Sequence, residues 1–229
     1  MRPIQNAGGH TGLTVRRYPI APDTVVYSGQ VVKLSAGLAV SAAAAETGPI
    51  LGIAGESHPG TNDALNSRAD GPDILVYDNP SLIFECPAPV IAAASGSATT
   101  IVPAAGAVDS TSADDSFNDS VLVLVKKAAG SANTDPVGLR IPVADYAKSG
   151  TVITKASGGV PSAGDEYEVY PKLGAAVGGI ASLDSATRSL LTVTAKGATG
   201  LKCVGHDYDR HRIRLMAVEH IIAQTPAGV

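Results

Sequence analysis

Apolar and polar positions alternate in short runs along most of this chain, and glycine or proline ends nearly every run. TVVY (24–27), QVVKLS (30–35), LAVSA (38–42) and ILGIAGE (50–56) follow one another with Ser28-Gly29, Gly37 and Gly48-Pro49 between them. A period of two places successive side chains on opposite faces of an extended chain, so these runs predict strands. The glycines Gly52 and Gly55 inside the fourth run predict a bulge or a close approach of another backbone. DILVYD (73–78) and SLIFEC (81–86) flank Asn79-Pro80, a turn-initiating pair, and predict a hairpin. In the second of these, Leu82, Phe84 and Cys86 share one face, and Ser81, Ile83 and Glu85 share the other.

The second half repeats the pattern. TTIVPA (99–104), VLVLVKK (121–127), LRIPV (139–143), TVITK (151–155), EYEVY (166–170), VGGIASL (177–183), RSLLTVTA (188–195) and GLKCVG (200–205) all read as strands. Pro142 cannot donate to a ladder, which predicts an edge or a bulge for LRIPV. In EYEVY, alternation sets Glu166, Glu168 and Tyr170 on one face against Tyr167 and Val169 on the other. HRIRLMAVEHII (211–222) alternates Arg212, Arg214, Met216 and Val218 against Ile213, Leu215 and Ala217, which favours strand; its Ile221-Ile222 end leaves a helix open. The fold class that follows is all-β, a β-sandwich or β-barrel built of short strands with little helix. An extended arm (1–23) precedes a first β unit (24–108), an acidic loop (109–120) and a second β unit (121–229), the two units packed as one body.

Composition supports the strands and narrows the partners. With 25 Gly and 15 Pro among 229 residues, long helices are broken before they form. Aromatics are 4% with no tryptophan, so the core is aliphatic. Charged residues are 17%, below the usual quarter, and the net charge is −4. That balance argues against a nucleic-acid surface, which needs Lys and Arg to neutralise phosphates. Low charge suits a surface covered by other proteins. The N-terminal stretch has no apolar core of a secretory signal, and no run of about 18 apolar residues is long enough to cross a membrane. The expectation is a soluble protein made in a cytoplasm. Cys86 and Cys203 are too few for a disulfide framework and read as buried free thiols, with a disulfide across the core as the alternative.

No pattern of reactive residues rises above a structural explanation. Cys203, His206 and His211 lie in CVGHDYDRH (203–211), but a second ligand pair is missing and Arg210, Arg212 and Arg214 repel a cation. The run reads as a polar turn in which Asp207 and Asp209 pair with Arg210 or Arg212. Asp109, Asp114, Asp115, Asp119 and Asp135 suggest calcium, yet no glycine lies in 109–120 to make the sharp turn of a calcium loop. The glycine cluster AGGHTG (7–12) stands ahead of the first expected strand instead of after one, so it does not fit a phosphate cradle. Glu166 and Glu168 lie on one strand face, where glycosidases need two carboxylates across a cleft. No catalytic, cofactor-binding or metal-ligating residue is assigned, and an enzyme is not expected. Arg16 and Arg17 in the arm are too few for nucleic acid and suit a salt bridge to another subunit.

GQVVKLSAGLAV (29–40), GPILGIAGE (48–56) and DILVYDNPSLIFEC (73–86) together resemble the strand set of tailed-bacteriophage head decoration, or capsid cement, proteins, over about the first third of the chain. That resemblance implies a tulip-like β-sandwich or β-barrel and a structural virion protein. It would bind the outside of a phage capsid and stabilise it by bridging neighbouring major capsid protein subunits. It also implies a homo-oligomer, a trimer in preference to a dimer, with an N-terminal arm adding strands to the major capsid protein or to neighbours. Another phage β protein, a fibre, tail or receptor-binding component, is the alternative; scarce aromatics disfavour carbohydrate recognition. Function is then expected in the arm and in the polar loops at 58–72 and 109–120.

Overall fold

Short strands expose many unpaired N–H and C=O groups along their edges, and this chain satisfies them by curling its sheets on themselves. The computed structural model describes residues 2–6, 14–21, 23–42, 49–60, 72–79, 81–108, 114–175, 177–178, 192–193 and 201–217. Among these residues every regular element is a strand. In chain order they are β1 (Arg2–Asn6), β2 (Val15–Pro19), β3 (Val25–Val26), β4 (Val31–Ser35), β5 (Leu38–Ser41), β6 (Gly52–Ala54), β7 (His58–Pro59), β8 (Asp73–Tyr77), β9 (Leu82–Pro87) and β10 (Val90–Ser97). There follow β11 (Thr100–Pro103), β12 (Val121–Lys126), β13 (Arg140–Ala147), β14 (Val152–Lys155), β15 (Glu166–Tyr170), β16 (Val177–Gly178), β17 (Thr192–Val193), β18 (Leu201–Asp207) and β19 (Arg212–Ala217). The all-β fold is as the alternation requires.

Three assemblies carry the architecture. A five-stranded sheet runs β2-β8-β6-β4-β5, and a parallel bridge from Ile20 to Ala39 draws its two margins together. Ile20, Val26, Val32, Ala39, Leu51, Ala54, Ile74 and Val76 fill its interior. A closed six-stranded barrel runs β10-β11-β14-β13-β12-β15. A four-stranded sheet, β1-β9-β19-β18, lies between them. Its Cys86, Cys203, Ile213 and Leu215 join the barrel core with Ile91, Leu122 and Tyr167. Its Leu82 and Phe84 pack with Ile53 of the five-stranded sheet. The expected face of Leu82, Phe84 and Cys86 is the buried one, and it touches both neighbours.

Local chemistry fixes the turns. β4 and β5 form a hairpin closed by Ala36 and Gly37, both at positive φ (49° and 82°), which is the primed turn that matches strand twist. Gly52 lies against the Tyr77 backbone, where a Cβ would lie 2.0 Å from the Tyr77 carbonyl oxygen, so the expected close backbone approach is present. β10 and β13 are the barrel's corners. Residues 90–92 pair with β15 and 93–97 with β11; residues 140–142 pair with β12 and 143–147 with β14. Pro142 occupies one corner. The Val143 N–H donates to Ser120 on the β12 side, so position 142 is aimed away from β12, toward β14, whose pairing begins only at Val143. The proline therefore sits beside a register irregularity in a closed barrel, not on an edge strand.

Several expectations are corrected. β8 and β9 do not form a hairpin: β8 pairs with β2 and β6, and β9 with β1 and β19. The chain between Tyr77 and Leu82 passes from one sheet to another, because both strands find better-matched partners far away in sequence. The arm is no free tail, since its two strands β1 and β2 pair within the chain, and β1 stands ahead of the glycine cluster at 7–12. The barrel takes β10 and β11 from before the acidic segment and β12 to β15 from after it, so 109–120 does not divide two β units. The described part of that segment, 114–120, is no solvated loop. Phe117 is fully buried and meets Tyr146 edge-on at 4.8 Å, and the Asp115 and Asp119 N–H groups donate to the carbonyls of Tyr146 and Val143. The expectations for 61–71, 109–113, 179–191, 194–200 and 218–229 lie outside the described residues.

This seat for Phe117 is testable. Phe117→Ala should destabilise the protein by roughly 3–5 kcal/mol in urea unfolding, the usual cost of emptying a buried phenylalanine site. A surface loop would lose no more than about 0.5 kcal/mol, and that result would remove the segment from the core.

Candidate functional site

A polar constellation lies where the β18–β19 turn meets the barrel. β15 runs through the core, but its Glu168 is 7% exposed and not on an open face, because the turn at 208–211 covers it. Glu168 Oε2 accepts hydrogen bonds from the Tyr170 hydroxyl (2.8 Å) and from His211 Nδ1 (3.0 Å). His211 adopts φ 56°, a left-handed conformation unusual for a residue with a side chain. His206 Nε2 lies 2.7 Å from the Pro171 carbonyl and Nδ1 3.1 Å from the Tyr208 hydroxyl. The simplest tautomer donates from Nε2 and accepts at Nδ1. Tyr208 stacks 4.5 Å from Tyr170, and the Arg140 guanidinium lies 3.9 Å over its ring. Burial, then the bond to Glu168, pushes the Tyr170 hydroxyl above its ordinary range, so it stays a donor.

This arrangement satisfies itself. A nucleophilic reading needs a Ser or Cys beside the imidazoles. Cys203, the nearest in sequence, is fully buried, bonds to the Gly205 carbonyl at 3.7 Å, and burial pushes its thiol up to about 11. Cys86 is likewise a buried free thiol, pushed up to about 12 chiefly by burial. Cys203, His206 and His211 are thus engaged separately. Among the described residues no group of three or more His, Cys, Asp or Glu is arranged to hold a metal ion. The expected pairing of Asp207 is present, with Arg210 and also with Arg214, but Arg212 turns instead to Glu85 at 3.7 Å.

The other candidate residues have partners within the chain. Arg17 bridges Glu56 (3.0 Å) and Asp73 (2.6 Å), and Arg16 approaches Asp78 (3.4 Å). Asp114 accepts the Lys148 N–H, Asp115 accepts from the Asn118 amide, and Asp119 pairs with Lys172. These aspartates do not converge with Asp135, which sits in a different loop. Of the loop at 58–72, His58 is buried with Nδ1 2.8 Å from the Thr24 carbonyl.

A second network ties two loops at one end of the barrel. Asp165 is fully buried and accepts from the Ala128 and Ser162 N–H groups (2.9 and 3.0 Å), the Ser131 hydroxyl and the Asn133 amide. Asn133 also donates to the Tyr167 hydroxyl at 2.9 Å. Burial alone would raise the Asp165 pKa, but the donors outweigh it and hold the carboxyl below the usual range. Sequence spacing gave no sign of Glu168 or Asp165 as network centres. Apart from Ser162 and Tyr170, three and two positions away, their partners come from 32 to 43 positions away.

Two outcomes follow. Tyr170→Phe should cost about 1.5–3 kcal/mol in urea unfolding, the range for a bond to a charged group; no loss would mean that the Tyr170–Glu168 bond is immaterial. Asp165, with a depressed folded pKa, contributes stability that is present above its unfolded value of about 4 and lost as pH falls through the folded value. Unfolding free energy should therefore drop with pH below about 4, and Asp165→Asn should be less stable at neutral pH with a flatter profile in that window. Parallel profiles would show that Asp165 carries none of the acid sensitivity.

Compared with known proteins, the chain matches no family model, no curated protein and no solved structure.

Proposed function

We propose that this is a structural virion protein that binds the outer surface of a phage capsid and stabilises it by bridging neighbouring major capsid protein subunits. The observation that carries the reading is the place of β1. Five residues, Arg2–Asn6, lie at the margin of the four-stranded sheet and, among the described residues, pair there with β9 alone. A marginal strand offers its second edge to a strand from another protein, and main-chain bonds then supply affinity without special side chains. The strand grammar of residues 29–40, 48–56 and 73–86 supports the same reading. So does the engagement of Glu168 with His211, and of His206 with the Pro171 carbonyl and the Tyr208 hydroxyl, which leaves them bracing the fold.

A five-residue strand adds only a few bonds of about 1 kcal/mol each. The bridge therefore also needs area elsewhere, on the order of 1,600 Å² for a standard stable interface. A homo-oligomer, a trimer in preference to a dimer, would supply it by presenting several copies to adjoining capsomers. The role is non-catalytic and needs no cofactor.

Removal of residues 1–6 tests this reading. The shortened chain should keep its far-ultraviolet spectrum and a cooperative melt, yet co-sediment with expanded phage capsids at least about tenfold more weakly, a loss of about 1.4 kcal/mol. Undiminished co-sedimentation would overturn the role of β1. Failure of the full chain to bind capsids at all would overturn the function.

A further inference from the structure

Lys155 ends β14 with its side chain fully buried. Its Nζ donates to the Gly159 carbonyl at 2.7 Å and faces Asp135 Oδ2 at 3.9 Å. Asp135 is itself 7% exposed. Its Oδ1 accepts the Gly159 N–H at 2.7 Å, while its buried Oδ2 has no hydrogen-bond partner. One residue, Gly159, thus holds both side chains, one through its N–H and the other through its C=O. Gly158, at φ 151°, lacks the Cβ that would lie 2.7 Å from Oδ2 and 2.8 Å from Nζ, so both atoms converge on one side of its backbone. The Asp135 loop is fixed in turn, as Asn133 Oδ1 accepts the Asp135 N–H and Lys127 Nζ donates to the Asn133 carbonyl.

We propose that Lys155 and Asp135 join covalently, through an isopeptide bond between Lys155 Nζ and the side-chain carbonyl carbon of Asp135, with loss of one water. The reaction is internally balanced. One ammonium proton passes to Oδ2, giving a neutral amine and a carboxylic acid. The amine lone pair attacks Cγ, the C–Oδ2 bond breaks, and a second proton from nitrogen leaves with Oδ2 as water. The third proton stays on the amide nitrogen. No oxidant or other reactant is required.

The hydrogen bonds already present match the product better than the reactants. An amide has one C=O and one N–H. Oδ1 would keep the Gly159 N–H, and Nζ would keep the Gly159 carbonyl. The atom that departs is Oδ2, the one the fold leaves unpartnered. Burial lowers the Lys155 pKa against the opposing pull of Asp135, which favours the neutral amine that the attack requires. A buried ion pair also bears a desolvation cost that a neutral amide does not. Two groups held side by side on one residue, Gly159, react as if at high concentration.

The intact mass of the full-length, denatured protein decides the matter. The expected value is lower than that of the sequence by one water, and digestion should give a branched peptide joining the segments that contain Asp135 and Lys155, uncut after Lys155. Lys155→Arg, which keeps the cation but cannot form the amide, should show its full sequence mass and linear peptides only. A wild-type chain of full mass would overturn the proposal. So would a loss of water with no branched Lys155–Asp135 peptide, which would place the dehydration elsewhere. The wild-type measurement stands even if the variant does not fold.

Discussion

The constraint on which this structure depends is the unpaired strand edge. A chain of strands two to eight residues long has more margin per residue than a few long strands would, and each open margin is a site for aggregation. The fold answers in three ways. The barrel closes fully; the five-stranded sheet draws its margins together at Ile20 and Ala39; and the third sheet lays its faces on both. Once the margins are paired, the aliphatic side chains have only one way to point. The interior cores around Ile91 and Leu122, and around Val32 and Val76, follow from that.

The strand β9 joins these parts. Its partner β19 comes from the far end of the sequence, and its partner β1 from the beginning. The β9–β19 pair sets Cys86 beside Ile213 and Phe84 beside Leu215, which makes the continuous apolar surface between the barrel and the five-stranded sheet. The same pairing carries the β18–β19 turn onto β15. That contact buries Glu168 and supplies His211 to it. The polar cluster around Glu168 is thus a consequence of how the sheets join, and its chemistry is that of a brace: carboxylate, imidazole, phenol and guanidinium each hold another.

Much of the fold was legible in the sequence. Period-two alternation located β4, β5, β8, β9, β12, β14, β15 and β19, and the buried face of Leu82, Phe84 and Cys86, because alternation is a property of the local chain. Gly37 and Gly52 announced a tight turn and a close approach for the same reason. The apolar run at 90–97 was less legible, since its small residues Ala92, Ala93 and Ala94 lead into Ser95 and Gly96 and carry no strong strand preference. Phe117 stood alone in an acidic segment, and a single aromatic gives no period from which to read burial.

Pairing was not legible. Asn79-Pro80 between two strands reads as a hairpin by local rules, and the strands nevertheless went to different sheets. Glu166 and Glu168 read as one exposed face, and only Glu168 was covered. The amino-acid sequence by itself determined that the chain is extended, where it turns and which faces are apolar, since steric preference and side-chain alternation act over a few residues. The tertiary structure decided which strands meet, which carboxylates are buried and that Lys155 faces Asp135. Those outcomes depend on many distant strands pairing at once, and a free energy shared among distant strands leaves no mark within any one of them.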